Sequence, residues 1–307
     1  MIQIDCMTTP ATFPLLRRMA AFTTNPAYGN PAGVWIGEAL PPSEEMQRIA
    51  AEVGFSETAF ISPARGPRRT VRYYSPQAEV TFCGHATIAS GVVLGEIDGE
   101  GMYVFEISVG EVPVQVSTRG DHIEAALTSV PTRHDPVTDG LLTESLEILG
   151  WSRHDLDSAI PPVRAWAGAW HLVLAARHSS RLDRLDYDFD RLAQIMRIND
   201  LTTFQLVWRA EDGTFHSRNP FAFGGVYEDP ATGAAAAALG GYLRDAGLMP
   251  TPAAFTILQG EAMGRPSELL VVVPAQGGVT VSGTAVSSEP TPDHGARLGT
   301  KPTESRQ

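Results

Sequence analysis

Three side chains that can take up or release a proton stand in apolar or glycine-rich surroundings. The first is Glu57, which lies in the segment 55–61 among Phe55, Ala59 and other apolar residues. A carboxylate in such a strand either faces solvent or is buried, and glutamate is more often exposed. If it is buried, it can act as both acid and base in proton transfer. The residue pattern alone leaves both positions open.

His85 and Asp229 each stand near the beginning of a segment of small residues. The positive end of a helix dipole disfavours an imidazolium, so we expect a neutral ring at His85. Asp229 could simply cap the second helix, as aspartate does in many proteins. Alternatively, Asp229 could lie beside His85 and orient its ring, as in a base-and-orienter pair. Both interpretations of Asp229 remain open from the sequence.

The segments 83–94 and 229–239 are apolar or small on every side, which is typical of helices surrounded by protein. The beginning of a helix presents unpaired N–H groups and the positive end of its dipole. Two such beginnings that face one cleft would hold a carboxylate, or stabilise the enolate-like charge that develops during proton transfer. Two ordinary packed helices with ordinary caps are the alternative.

The elements around these segments form two similar halves, which predicts an α+β fold with an internal duplication. Each half alternates short strands with one small-residue helix, although Gly84-His85-Ala86-Thr87 and Ala231-Thr232-Gly233-Ala234 are only faintly alike. We predict domains over 17–128 and 129–286, a flexible extension over 1–16 and a flexible tail over 287–307. Further helices are predicted from Ser43 to a stop at Gly54 and over 189–196. Strands are predicted at 34–36, 55–61, 71–74, 103–116, 123–127, 163–166, 171–175, 204–208, 215–217, 255–259, 269–273 and 279–282.

Composition and missing motifs exclude several classes of function. The 307 residues carry a formal net charge of −12, which disfavours nucleic acid and anionic membrane surfaces as partners. Apolar runs are too short to span a bilayer and the beginning of the chain lacks a secretory pattern, so a cytoplasmic location is expected. Two cysteines, Cys6 and Cys83, build neither a disulfide scaffold nor a four-ligand zinc site. Dinucleotide, P-loop, metalloprotease and nucleophile-elbow motifs are missing, and His85, His171 and His216 lack metal-ligand spacing.

An ordered set of short blocks resembles the phenazine-biosynthesis PhzF-like family. The set opens with 28–34, which is similar to that family's G-N-P-A-x-V signature, and it extends across residues 18–286. The other blocks are 46–50, 55–60, 72–76, 79–80, 83–87, 228–233, 259–260 and 264–267.

The resemblance implies a fold like that of diaminopimelate epimerase, with two barrel-like halves around central helices and the site between them. It implies that Glu57 relays a proton while His85 and Asp229 assist, as in the isomerisation of trans-2,3-dihydro-3-hydroxyanthranilate by the family's phenazine enzyme. It also implies a homodimer, no cofactor and no metal. The substrate would be a small anionic metabolite bound by Asn30, Gly84, Gly233 and Ala234.

Departures from the family pattern concern the substrate. Ala234 stands where the phenazine enzyme has a serine, Ala20 replaces an acidic residue, and Pro220 and Ala222 alter the segment after Arg218. Because the second helix start carries Asp229-Pro230 rather than a thiol, a two-thiol racemase is disfavoured, and Cys83 is expected to be a small packed residue.

The leading hypothesis is an isomerase with Glu57 as general acid and base. A related hydrolase of C–C bonds, of the kind found in alkyl-proline pathways, and a non-catalytic metabolite-binding protein are the alternatives.

Overall fold

A computed structural model describes residues 13–108 and 110–288 of the chain. The flexible tail was predicted over 287–307, and residues 289–307 lie outside the described residues. Of its first two positions, Ser287 belongs to the strand Thr280–Ser287. The flexible extension was predicted over 1–16; residues 1–12 lie outside the described residues, and Leu15 and Leu16 already belong to the first strand.

The N-terminal half contains β1 (Leu15–Ala21), β2 (Asn30–Ile36), α1 (Ser43–Val53), β3 (Glu57–Ser62), β4 (Arg68–Tyr74), β5 (Glu79–Val80), α2 (Gly84–Asp98), β6 (Gly101–Ile107), β7 (Gly110–Arg119) and β8 (His122–Thr128). The C-terminal half contains β9 (Arg133–Pro136), α3 (Asp139–Leu149), β10 (Val163–Trp166), β11 (Trp170–Ala175), α4 (Phe189–Ile198), β12 (Thr203–Arg209), β13 (Phe215–Phe221), β14 (Val226–Asp229), α5 (Gly233–Asp245), β15 (Ala253–Gln259), β16 (Ser267–Val273) and β17 (Thr280–Ser287).

The N-terminal half is a closed barrel of eight strands. Pairing runs from β1 through β2, β3, β4, β6, β7 and β8 to β17, and β17 pairs back with β1. The pairs β2–β3 and β4–β6 are parallel, and the connections between them carry α1 and α2. Because β17, which follows the strands of the C-terminal half along the chain, closes this barrel, the two halves cannot be separated at one linker.

Helix α2 runs through the barrel and is buried from His85 to Leu94. Its small residues are required by the narrow interior. A Cβ atom at Gly91 would lie 2.6 Å from the Cβ of Ala125, far inside van der Waals contact. The predicted small-residue helix is therefore confirmed, and its lack of a polar face follows from strands on every side.

The C-terminal half repeats this plan around α5. Strands β9 to β13 pair in sequence order, β13 pairs in parallel with β15, and β15 leads through β16 to β17 and β8. Helix α5 lies against the inner face of this sheet, buried from Ala235 to Leu243. Helices α3 and α4 pack on the outer face through a separate apolar cluster that includes Leu146 and Leu192.

The order of pairings matches element by element between the halves, in agreement with the predicted duplication. The parallel pair β2–β3 corresponds to β11–β12, and the parallel pair β4–β6 corresponds to β13–β15. Helix α2 begins at Gly84 and α5 begins at Gly233, so these two glycines are the equivalent positions. The sequence comparison above, which set Gly84 opposite Ala231, was therefore two residues out of register.

Several boundaries differ from the sequence prediction. The helix expected from Asp229 begins at Gly233, because Asp229 ends β14 and Thr232 occupies the N-cap position. The strand expected over 103–116 is the hairpin β6–β7. Helix α3 was not predicted, although Thr138 caps its beginning and Gly150 ends it. In contrast, α1 ends at the predicted stop, Gly54, which has φ 72°. It begins at Ser43 as expected, but its N-cap residue is Pro42 and no side chain caps it. No helix in the described ranges has the length and apolar character needed to cross a membrane.

Candidate active site

Glu57 is the first residue of β3, where it pairs with Ala32 of the parallel strand β2. Its side chain is 17% exposed, so the carboxylate lies in a recess rather than on an open solvent face. The strand residues that follow it, from Thr58 to Ile61, are fully buried. Glu57 is therefore half-buried, between the two positions that the sequence left open.

Glu57 meets two side chains from the beginning of α2. Its Oε2 lies 3.4 Å from Nε2 of His85, and the thiol of Cys83 points to the same Oε2 at 3.6 Å. The sulfur also lies 3.4 Å from Nδ1 of His85, whose side chain is 8% exposed. Ser56 adds a hydroxyl 3.4 Å from Nε2 of His85. The end of one loop and the beginning of one helix thus bring a carboxylate, an imidazole and a thiol together.

Cys83 is the N-cap residue of α2 and is buried. Burial raises the pKa of its thiol well above the usual value, and the negative charges of Glu57 and Asp229 act in the same direction. The thiol is therefore protonated at neutral pH and can donate to Glu57. Cys83 is packed, as expected, but it packs against the acid–base residues rather than away from them.

Asp229 reaches the site from the opposite half of the molecule. The pKa of Asp229 is raised to about 6, mainly by burial; the charge of His85 lowers this pKa and the charge of Glu57 raises it. Donors from Thr232 Oγ1 at 2.5 Å and Asn30 Nδ2 at 2.8 Å also lower this pKa. Asp229 does not cap α5, and among the described residues its carboxylate is held by Asn30 and Thr232 rather than by the His85 ring. Its relation to His85 is electrostatic.

Asn30 joins the two halves at this point. It is the first residue of β2, is 1% exposed, and donates to Ala231 O at 3.1 Å as well as to Asp229. The structure therefore places this expected substrate-binding residue in a supporting position, holding the carboxylate of Asp229. Its amide also fixes the loop that leads into α5.

Gln259 supports the site and was missed by the residue-by-residue reasoning. Its Nε2 donates to Asp229 O at 2.7 Å and to Thr232 Oγ1 at 3.0 Å, while its Oε1 accepts from Thr232 N at 3.2 Å. The side chain is buried at the end of β15. One amide thus sets the backbone on both sides of the bend before α5. The only sequence signal for it was its place in the block 259–260.

The beginnings of α2 and α5 face each other across the site. A Cβ atom at Gly84 would lie 3.9 Å from Cα of Gly233, which shows that the two glycines are in close approach. The first intrahelical bonds run from Thr87 N to Cys83 O and from Ala236 N to Thr232 O, both at 3.0 Å. Neither helix has a side-chain cap on its first N–H groups. The N–H groups of Gly84 and Gly233 therefore precede the first bond of each helix.

The half-buried Ala234 follows Gly233 at the beginning of α5 and contributes a methyl group in place of a hydroxyl.

Arg218, in β13, forms a bidentate ion pair with the buried Glu228, with Nε–Oε1 at 3.0 Å and Nη2–Oε2 at 2.5 Å. Glu228 precedes Asp229 in β14, so this ion pair holds the strand that carries Asp229. Arg218 thus acts on the site through the backbone of β14.

Phe22 is a second supporting residue that sequence reasoning missed. It adopts φ 62°, an uncommon conformation for a residue with a Cβ. Two backbone bonds hold it there, from its N–H to Thr284 O at 2.7 Å and from Glu268 N to its carbonyl at 2.8 Å. Its ring lies 3.8 Å from the position of a Cβ at Gly233. Strain of this kind persists where surrounding structure imposes it, here beneath the beginning of α5.

Among residues 13–108 and 110–288, Glu57, Cys83 and His85 form a group whose donor atoms lie within 4.8 Å of one another. These are the side chains of the site that could hold a metal ion. His171 and His216 lie elsewhere, His171 against Thr203 and His216 against Glu261. Spacing along the chain could not reveal the group, because Glu57 precedes Cys83 by 26 residues.

Known proteins resemble this chain over nearly its whole length. Residues 19–290 match the PhzC-PhzF family, whose description is phenazine biosynthesis-like protein. A relative from Deinococcus radiodurans, named an uncharacterized isomerase, is 33% identical over 276 residues, covering 87% of this chain and 89% of the relative.

Solved structures show the same architecture. The Bacillus anthracis phenazine biosynthesis protein of the PhzF family aligns with a TM-score of 0.78 at 23% identity, covering 89% of this chain and 96% of that one. A probable proline racemase from Agrobacterium radiobacter K84 aligns with a TM-score of 0.59 at 13% identity, covering 89% and 90% of the two chains. The fold is thus the one shared by PhzF proteins and by epimerases of the diaminopimelate epimerase type, as predicted. The chain belongs to the phenazine biosynthesis-like (PhzC-PhzF) family.

Proposed function

We propose that this protein is an isomerase that moves a proton within a small carboxylate-bearing metabolite, with Glu57 as the general acid and base. The observation that supports this proposal most is the position of Glu57. Its recessed carboxylate lies beside His85 and Cys83, and it is close enough to Asp229 for their charges to influence each other. The family relative named as an isomerase agrees with this chemistry.

The reaction begins with removal of a proton from a carbon next to an activating group of the substrate. Glu57 takes that proton, and the electron pair of the C–H bond moves into the substrate as an enolate-like charge. The backbone N–H groups at Gly84 and Gly233 hold the substrate carboxylate, where the developing charge is stabilised. Glu57 then returns the proton to a different carbon, so the product is an isomer and the enzyme is regenerated.

His85 and Asp229 assist from the two sides of the cleft. His85 contacts Glu57 and fixes the direction of the carboxylate. Asp229, with its pKa raised to about 6, can hold a hydrogen bond in either protonation state near neutral pH. The methyl group of Ala234 stands in place of one hydroxyl partner for the substrate, and we therefore do not assign the substrate of the family's phenazine enzyme to this protein. We further propose that the protein works as a homodimer in the cytoplasm.

The proposal is tested by incubating the protein in D₂O with a fractionated extract of small organic acids. Mass spectrometry then follows which metabolites gain deuterium and change retention. We expect a metabolite to be replaced by an isomer that carries carbon-bound deuterium. The Glu57→Gln variant should leave the mixture unchanged.

The same mass spectra separate the alternatives. Hydrolysis of a C–C bond adds the elements of water and splits the carbon skeleton, whereas isomerisation preserves every carbon atom. A binding protein leaves all metabolites unlabelled but retains one of them through gel filtration. Cleavage products, or retention without any labelling, would each contradict the proposed isomerase.

A further inference from the structure

We propose that Glu57, Cys83 and His85 also form a binding site for a zinc-type divalent cation. Their donor atoms form a nearly equilateral triangle, with Sγ–Nε2 3.8 Å, Nε2–Oε2 3.4 Å and Sγ–Oε2 3.6 Å. A tetrahedral zinc ion with ordinary bond lengths separates its sulfur, nitrogen and oxygen ligands by about 3.4 to 3.6 Å. The triangle therefore has the size that such an ion requires.

One side of this triangle is longer than an ordinary hydrogen bond. An N–H···O bond is usually about 2.9 Å long, and the 3.4 Å between His85 Nε2 and Glu57 Oε2 exceeds that length. A point about 2.1 Å from all three atoms lies inside the triangle, close to the bond lengths of zinc. The ring nitrogens of His85 lie 3.4 and 3.8 Å from Sγ, so a turn of the imidazole about its Cβ–Cγ bond can direct either one to the ion.

The charges at the site favour a cation. The carboxylates of Glu57 and Asp229 both lie close enough to Cys83 for their negative charges to act on it. Within the part of the chain that the structure describes, the side chains that shift the pKa of Asp229 are Glu57, His85, Thr232 and Asn30, and none of them is a lysine or arginine. A divalent cation on Glu57 and a Cys83 thiolate would cancel two negative charges, leaving Asp229 as an outer carboxylate.

The donor set decides which cation fits. A thiolate, an imidazole and a carboxylate are ligands of zinc and of cobalt, whereas magnesium and calcium prefer oxygen ligands alone. Binding replaces the thiol proton: Cys–SH and Zn²⁺ give Cys–S–Zn⁺ and a proton that passes to solvent. The fourth position of the ion stays open to water. Because Glu57 cannot coordinate an ion and act as the base at the same time, zinc would block the proposed proton transfer.

Cobalt binding tests the site without any substrate, so its outcome is independent of the proposed isomerase activity. The untagged full-length chain is freed of metal with a chelator, desalted and titrated with CoCl₂ while the absorption spectrum is recorded. We expect one Co²⁺ per chain, a thiolate-to-cobalt charge-transfer band in the near ultraviolet, and visible bands of tetrahedral intensity. Zn²⁺ added afterwards should displace the cobalt and remove the bands.

Variants identify the ligands. Cys83→Ser should abolish the charge-transfer band, and His85→Gln and Glu57→Gln should each weaken Co²⁺ binding by about tenfold or more. Cys6→Ser is the matched control, because Cys6 is the other cysteine of the chain, and it should leave the band intact. Thermal unfolding of each variant without metal shows that the fold is retained.

Two results would overturn the site. One is a wild-type spectrum without a thiolate band at cobalt concentrations that saturate ordinary zinc sites. The other is a band that survives Cys83→Ser or disappears in Cys6→Ser. Either result rejects the metal site and leaves the assignment of Glu57 as a base to be decided by turnover alone.

Discussion

Replacement of Asn30 by alanine tests how the two halves are joined at the candidate site. The variant loses a charge-assisted hydrogen bond to Asp229 and a neutral one to Ala231 O. Because Asn30 is 1% exposed, both bonds are shielded from solvent in the wild type. A charged bond contributes about 1.5 to 3 kcal/mol and a neutral one about 0.5 to 1.5 kcal/mol, so the free energy of unfolding should fall by about 2 to 4 kcal/mol.

The same change has an electrostatic consequence. The Asn30 donor lowers the pKa of Asp229, which is about 6 in the intact site. Without that donor the pKa of Asp229 should rise further, because a carboxylate that loses a hydrogen bond to its charged form is protonated more easily. Urea unfolding measures the first effect, and NMR titration of ¹³C-labelled aspartate carboxyl groups measures the second.

Asn25→Ala serves as the matched control. The Asn25 side chain accepts only a local hydrogen bond from Ala27 N in an exposed turn, so its loss should cost at most about 1 kcal/mol. It should leave the titration of Asp229 unchanged. Suppose that the free energy of unfolding of Asn30→Ala lies within about 0.5 kcal/mol of the wild-type value and that Asp229 titrates at the same pH. The hydrogen bonds from Asn30 to Asp229 and Ala231 then do not join the two halves in solution.

Three further changes test other parts of the account. In Asp229→Asn, the difference in the free energy of unfolding from the wild type should depend on pH. Since the pKa of Asp229 is raised to about 6 in the folded state, the folded wild type holds a proton that the unfolded chain has already released between about pH 4 and 6. The free energy of unfolding of the wild type should therefore fall by up to about 3 kcal/mol relative to the variant as pH rises from about 4 to 6, as measured by urea unfolding at each pH. A difference that stays constant over that range would contradict the raised pKa. Thr232→Val should raise the pKa of Asp229 further, because the 2.5 Å hydroxyl donor is lost, and NMR titration would show an unchanged or lower value if this bond is unimportant. Gly91→Ala should destabilise the protein by about 1 to 3 kcal/mol, because the new methyl group meets Ala125, whereas Gly140→Ala, with no atom within 4 Å of its new Cβ, should not destabilise it. Equal thermal stabilities of the two glycine variants would show that the barrel is not closely packed around α2.

Local signals along the chain were sufficient for most elements. Helix α1 could be placed from Ser43 and Gly54, because its left-handed stop depends on neighbouring residues, although Pro42 rather than Ser43 is its N-cap residue. The small residues of α2 and α5 predicted burial on all sides for the same reason. Helix α3 carries similar signals at Thr138 and Gly150, but it was not predicted from the sequence.

The arrangement of the site could not be read from local signals. Gly84 and Gly233 approach each other because the two halves join where β8 pairs with β17, and nothing near either glycine encodes that topology. The support from Gln259 to Asp229 spans 30 residues. Asp229 was predicted for the site through the family resemblance, but its position before the cap of α5 depends on the pairing of β13 with β14.

Cys83 shows a further limit of sequence reasoning. Its sequence neighbours predicted a packed thiol, and it is packed. Its contacts with Glu57 and His85 arise because β3 begins beside the start of α2 inside the closed barrel. Residue type and spacing therefore identified the reactive groups separately, and the barrel brought them together.

The role of Glu57 is tested most directly by comparing turnover of Glu57→Gln with that of Glu52→Gln. Glu52 lies on the exposed face of α1 in an ion pair with Arg48, so it provides a matched change of charge away from the cleft. With the metabolite found by deuterium labelling, Glu57→Gln should retain binding and lose at least about 100-fold in kcat, as expected for removal of a general acid and base. Glu52→Gln should match the wild type. A Glu57→Gln protein that converts the metabolite at the wild-type rate would contradict the account.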